Sequence, residues 1–235
     1  MKHTAIALAL LGLFASAAQA QSSVKLHGRL NLTLESQKVG DASRENSLVN
    51  NASRWGVKGS EDLGGGMRAN FVFEQGFDTT TGAAPNGFAR ESYVELAAPW
   101  GAVRGGNWSP GSYFATADYV SMHNHDTGTS ADALYTYLSG AGKNTVSYTT
   151  PNLGGFMATV QAQFDESPDD SEKPSYAVGA SYVVGPFAVG AAWQTVRSAS
   201  DPMLDLTMGQ RQNFGLLGVS YDFGVVKLMG QFGKI

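Results

Sequence analysis

Apolar and polar residues alternate along most of this chain. Val24, Leu26, Gly28, Leu30, Leu32 and Leu34 interleave with Lys25, His27, Arg29, Asn31, Thr33 and Glu35. A period of two is the mark of a strand with one apolar and one polar face. The pattern returns at Phe156, Ala158, Val160, Ala162 and Phe164, at Tyr176, Val178, Ala180, Tyr182 and Val184, and at Phe187, Val189, Ala191 and Trp193. These segments run to about ten residues, where strands of soluble proteins usually have about five or six. Ten tilted residues suit the hydrocarbon core of a bilayer. Aromatic residues sit at the segment ends, as the girdles of a membrane barrel require.

The connections alternate between short and long. Tight ones carry turn residues: Leu63-Gly64-Gly65-Gly66, Pro99-Trp100-Gly101, Pro151 to Gly155, Gly185-Pro186 and Phe223-Gly224. Longer polar segments lie near 37–51, 79–87, 109–142, 167–174 and 198–209. Eleven strands are predicted, near 23–36, 52–63, 67–78, 88–98, 101–108, 143–150, 156–166, 175–184, 187–197, 210–223 and 225–235. The fold class is therefore all-β: an antiparallel transmembrane β-barrel with short turns on one side of the membrane and long loops on the other. Alternation also occurs in soluble sandwiches, but strand length, aromatic ends and the N-terminal segment favour the barrel together.

That N-terminal segment, residues 1–20, has Lys2 in a short positive head, an apolar run, and Ala18-Gln19-Ala20 as a small-x-small cleavage site. It reads as a secretory signal peptide, with the barrel domain over 21–235. The apolar run is too short to cross a bilayer as a helix. Only 15% of the 235 residues are charged while 29 are Gly, against about 25% charged in ordinary soluble domains. The net charge of -4 argues against a nucleic-acid partner, and the absence of cysteine excludes disulfides and thiol chemistry.

The run Ser53-Arg54-Trp55-Gly56-Val57-Lys58-Gly59-Ser60-Glu61-Asp62-Leu63-Gly64-Gly65-Gly66-Met67 resembles a hairpin of the general-diffusion porins of β-proteobacteria. So do Gln21 to Val24, Tyr148 to Phe156 and Tyr221 to Leu228. The resemblance covers the chain in order. It implies a 16-stranded barrel of which this chain carries about the first 11 strands. It also implies a homotrimer when complete, set in outer-membrane lipid and lipopolysaccharide and inserted by the barrel-assembly machinery. Ions and small hydrophilic solutes would diffuse through it without a cofactor. Family members are longer and end on an aromatic residue, whereas this chain ends Gly233-Lys234-Ile235. An incomplete porin is therefore expected, either a partial sequence or a truncated gene product that does not insert alone as a stable pore.

With large apolar residues outward, parity places Lys25 and Arg29 inside on the first strand, Arg54 and Lys58 on the second, Arg68 on the third and Arg104 on the fifth. Arg29, Arg54, Lys58, Arg68 and Arg104 form the expected basic wall, with Lys25 simply solvated. Arg90 shares parity with Val94 and Leu96, which puts it at the outer rim. Glu74, Glu91 and Glu95 have inward parity and offset the cations. By resemblance the loop at 109–142 folds inward, and family members often carry an arginine where Asn107 stands. The loop holds Asp118, Asp126 and Asp132 and neither Lys nor Arg up to Gly142. Acidic loop facing basic wall would set a transverse field across the constriction.

Other chemistries are weaker. His123 and His125 have ligand-like spacing but lack a third fixed ligand. Gly64-Gly65-Gly66 lacks the Lys-Ser/Thr of a phosphate loop. A barrel enzyme would need a nucleophile beside a histidine, and His27, His123 and His125 have no such context. An adhesin barrel would bind through its outer loops.

Overall fold

A computed structural model describes residues 22–38, 40–84, 87–109, 142–164, 174–197 and 211–234. The signal segment and most of the loop at 109–142 lie outside the described residues. Thirteen strands follow in order: β1 (Ser23–Arg29), β2 (Leu32–Gln37), β3 (Glu45–Asn50), β4 (Arg54–Gly64), β5 (Met67–Gly76), β6 (Glu91–Ala98), β7 (Gly101–Trp108), β8 (Gly142–Thr149), β9 (Phe156–Gln163), β10 (Ser175–Val184), β11 (Phe187–Arg197), β12 (Arg211–Asp222) and β13 (Lys227–Lys234). Eleven form one sheet in the order β1-β4-β5-β6-β7-β8-β9-β10-β11-β12-β13, every pair antiparallel, and β2 with β3 form a separate hairpin. β1 and β13 stand at the two ends of that order, so the sheet is open.

Burial is inverted relative to a soluble sheet. Leu26 is 76% and Val94 62% exposed, whereas Thr145 and Ser147 on the opposite face are 1% and 6% exposed. Only a non-aqueous exterior makes such an arrangement favourable, since apolar area left in water costs about 25 cal/mol per Å². The short turns are built as their residues require. In Gly64-Gly65-Gly66 all three residues have positive φ, and Asp62 Oδ1 accepts the Gly64 N–H at 2.8 Å. Beside the turns lie aromatics of the apolar face: Trp100 stacks on Tyr148 at 6.4 Å, and the Tyr148 hydroxyl donates to the Trp100 carbonyl at 2.7 Å. An amphipathic ring with a satisfied hydroxyl suits a membrane interface.

The first hairpin differs from the sequence expectation. The segment expected as a loop at 37–51 contains β3, which pairs with β2 from Leu32↔Asn50 to Gln37↔Glu45. The junction is a β-bulge: between Arg29↔Arg54 and Leu32↔Asn50, two residues face three. Ala52 takes φ 53°. Ser53, fully buried, accepts the Asn31 N–H through Oγ at 2.9 Å and donates to the Asn31 carbonyl at 3.2 Å. The extra residue shifts the alternation by one, so Leu48 and Trp55, of opposite parity, are both exposed with the other large apolar side chains.

Candidate functional site

The register of β1 and β4–β7 sets the polar face out in rungs. Arg29, Arg54 and Gly76 share one rung; His27, Gly56, Glu74 and Glu91 the next. Below them come Lys25, Lys58, Val72 and Tyr93, then Ser23, Ser60, Asn70, Glu95 and Arg104. Asp62, Arg68 and Ala97 lie beside the short turns. All five residues expected on the basic wall, Arg29, Arg54, Lys58, Arg68 and Arg104, thus fall on one face. Asp118, Asp126 and Asp132 lie outside the described residues.

Two carboxylates organise the cations. Glu74, 8% exposed, meets two of them, Arg90 Nε at 3.0 Å and Arg54 Nε at 3.5 Å, and has the His27 ring beside it with Nδ1 at 3.8 Å. Gly56 makes room for this cluster, because a Cβ there would collide with the Phe73 carbonyl and lie 2.9 Å from His27 Nε2. Glu95 is the second hub. Its Oε2 accepts from Arg104 Nε and Nη2 at 2.9 and 2.7 Å, and its Oε1 accepts from Asn70 Nδ2 at 3.1 Å. The Arg104 guanidinium lies 4.1 Å from the Tyr93 ring centroid and 5.5 Å from that of Trp108. Charge-assisted bonds on one side and ring quadrupoles on the other hold this arginine in a defined orientation.

Arg90 is a correction. Its parity pointed to the outer rim, but it precedes β6, where alternation does not yet apply, and its side chain turns to Glu74. Asn107, where an arginine was implied by resemblance, donates through Nδ2 to the Ala89 carbonyl at 3.1 Å. Parity brings Glu74 to the right face, but its role as the meeting point of Arg90, Arg54 and His27 depends on pairing between distant segments. The buried Trp108 beside Arg104 has no signal of its own in the alternation. Among the described residues no group of three His, Cys, Asp or Glu could hold a metal ion.

This wall, polar within and apolar without, has counterparts among known proteins. A profile of the family described as Gram-negative porin matches residues 6–235. The chain belongs to that family. This porin chain is 31% identical over 267 residues to an outer membrane porin protein of Bordetella pertussis, the match covering 97% of the chain and 68% of the relative. With outer membrane porin protein 32 of Delftia acidovorans it shares 33% over 254 residues, covering 98% and 68%. Among solved structures it is similar to the anion-selective porin from Comamonas acidovorans, with TM-score 0.70 and 26% identity over 91% of this chain and 68% of that one. It also shares its fold with Salmonella typhi OmpF, with TM-score 0.64 and 18% identity over 90% of this chain and 63% of that one. The open sheet is thus the wall of an outer-membrane β-barrel, and the family points to a channel rather than an enzyme.

Proposed function

We propose that this porin chain lines a water-filled channel for passive diffusion of ions and small hydrophilic solutes across the outer membrane. The observation that carries the reading is the ladder of ion-paired arginines on the polar face, opposite a face of exposed apolar side chains. Charges fixed in a wall act on passing solutes only where water reaches them, and Arg104 is 31% exposed at its side chain. Arg29, Arg54, Lys58, Arg68 and Arg104 form the basic arc. In this reading the loop at 109–142 folds inward with Asp118, Asp126 and Asp132 facing them, and the field between the two sides orders dipolar solutes at the constriction. Residues 1–20 direct export, and the barrel works as a homotrimer among lipopolysaccharide and phospholipid. The wall favours anions, a preference that the likeness to an anion-selective porin supports.

Planar-bilayer recording tests this on protein purified from outer membranes. The expected result is discrete, ohmic conductance steps in KCl and a reversal potential under a KCl gradient that shows anion preference. Protein that inserts and gives no steps would overturn the channel reading. Steps with cation preference would overturn the charge assignment.

A further inference from the structure

Among the described residues, Lys25 and Lys58 are cations of the same face that stand outside the ion pairs of the arginines. Lys25 and Lys58 are direct register partners across β1 and β4, so their Cβ atoms leave one face about 4.5–5.5 Å apart. Like charges so placed repel, and the pairing is destabilising unless something neutralises it. Among the described residues neither lysine has a carboxylate within ion-pair distance. Glu74, diagonal to Lys58 across β4 and β5, is held by Arg90 and Arg54, and Glu95, on the rung on the other side, by Arg104 and Asn70. Both lysines open instead onto a recess of about 350 Å³ whose walls include Ser23, Ser60, Asn70 and Glu95. Ser23 and Ser60 face one another on the adjacent rung. Two exposed lysines and two serines thus line a water-accessible recess near the short-turn side of the wall.

We propose that this recess is a binding subsite for a small multivalent oxyanion of the phosphate type. Chloride carries a single negative charge, which leaves half of the charge of the two lysines uncompensated. A dianion with several oxygens bridges both lysines and takes the serine hydroxyls as well, which removes the cross-strand repulsion in the same step. The inference rests on the channel reading only in that the recess must face water. It adds a solute-holding station to the wall, distinct from the arginine ladder.

Isothermal titration calorimetry of the detergent-solubilised protein with inorganic phosphate, against sodium chloride at matched ionic strength, tests it. Saturable heat with phosphate and none with chloride is expected. Lys58→Gln and Lys25→Gln should each weaken the apparent affinity by about tenfold. Lys58→Arg should retain it, and Arg44→Gln in the β2–β3 hairpin should leave it unchanged. Circular dichroism of each variant establishes folding. Absence of saturable phosphate heat, or undiminished heat in both glutamine variants, would overturn the subsite. Because the readout is heat and not current, a conducting protein without phosphate heat sinks only the subsite, and a phosphate-binding protein without conductance sinks only the channel.

Discussion

Glu74→Gln removes one charge from the centre of the wall while keeping volume and an acceptor oxygen. Glu74 meets Arg90, Arg54 and His27 at 3.0, 3.5 and 3.8 Å. At an effective dielectric near 20, each of the two arginine pairs is worth about 5 kcal/mol before desolvation. Three terms reduce it. The carboxylate is almost fully removed from water, and that penalty offsets much of the attraction. The arginine side chains are 22% and 38% exposed, so solvent screens them. Glu91 lies directly across from Glu74 in register, and losing one of two facing carboxylates relieves repulsion. The net expectation is a loss of about 2 kcal/mol of unfolding free energy. Urea unfolding of the detergent-folded protein, followed by tryptophan fluorescence, should show a lower midpoint with an unchanged slope. A double-mutant cycle with Arg90→Gln should return a coupling of about 1–2 kcal/mol. A Glu74→Gln protein within about 0.5 kcal/mol of wild type, or strictly additive single mutants, would refute the claim that this carboxylate holds the cluster together.

Three further outcomes are expected. Arg104→Gln should move the zero-current potential under a KCl gradient toward cations, because Glu95 is left without its guanidinium; an unmoved potential would place Arg104 away from the ion path. Ala52→Gly should raise stability by about 0.5–1 kcal/mol, since φ 53° is strained for a residue with a Cβ, and chemical denaturation would expose a contrary result. In the loop after β5, the Thr80 hydroxyl and N–H both donate to Asp78 Oδ1 at 2.7 Å and hold its carboxyl below the usual carboxylate range. That local order should be fully present above the unfolded pKa and fade as pH falls through the lowered folded value. Limited proteolysis across 77–84 should accelerate on acidification in wild type, and Asp78→Asn should remove that dependence.

Much of the wall was legible because a sheet between lipid and water writes its two faces directly into alternate positions. The strands from Phe156 to Trp193 show this plainly, and glycine-rich turns such as Gly64 to Gly66 mark their ends. The hairpin of β2 and β3 was less legible, because Glu45 to Asn50 is mostly polar and Leu48 and Val49 are adjacent rather than alternate. The bulge hid the continuity further by shifting parity between Leu48 and Trp55. Arg90 was misplaced for a related reason: a parity rule extended past the first residue of a strand has no pleat to act on. The convergence on Glu74 required knowing that positions 27, 56, 74 and 91 share a rung, which only pairing across the sheet supplies.

The three residues Asn51 to Ser53 work as a phase shifter for the first hairpin. Removing Ala52 would leave two residues facing two and put Leu48 and Trp55 an even number of positions apart, so plain alternation would keep both on the apolar face; removing Asn51 as well would set them on opposite faces, one toward the water column. A change of length in the connection between β2 and β3 carries no such penalty, because it falls outside both strands. Loss of Ala52 alone should therefore be tolerated, and loss of Asn51 and Ala52 together should not. Outer-membrane yield of the single and the double deletion would display that difference.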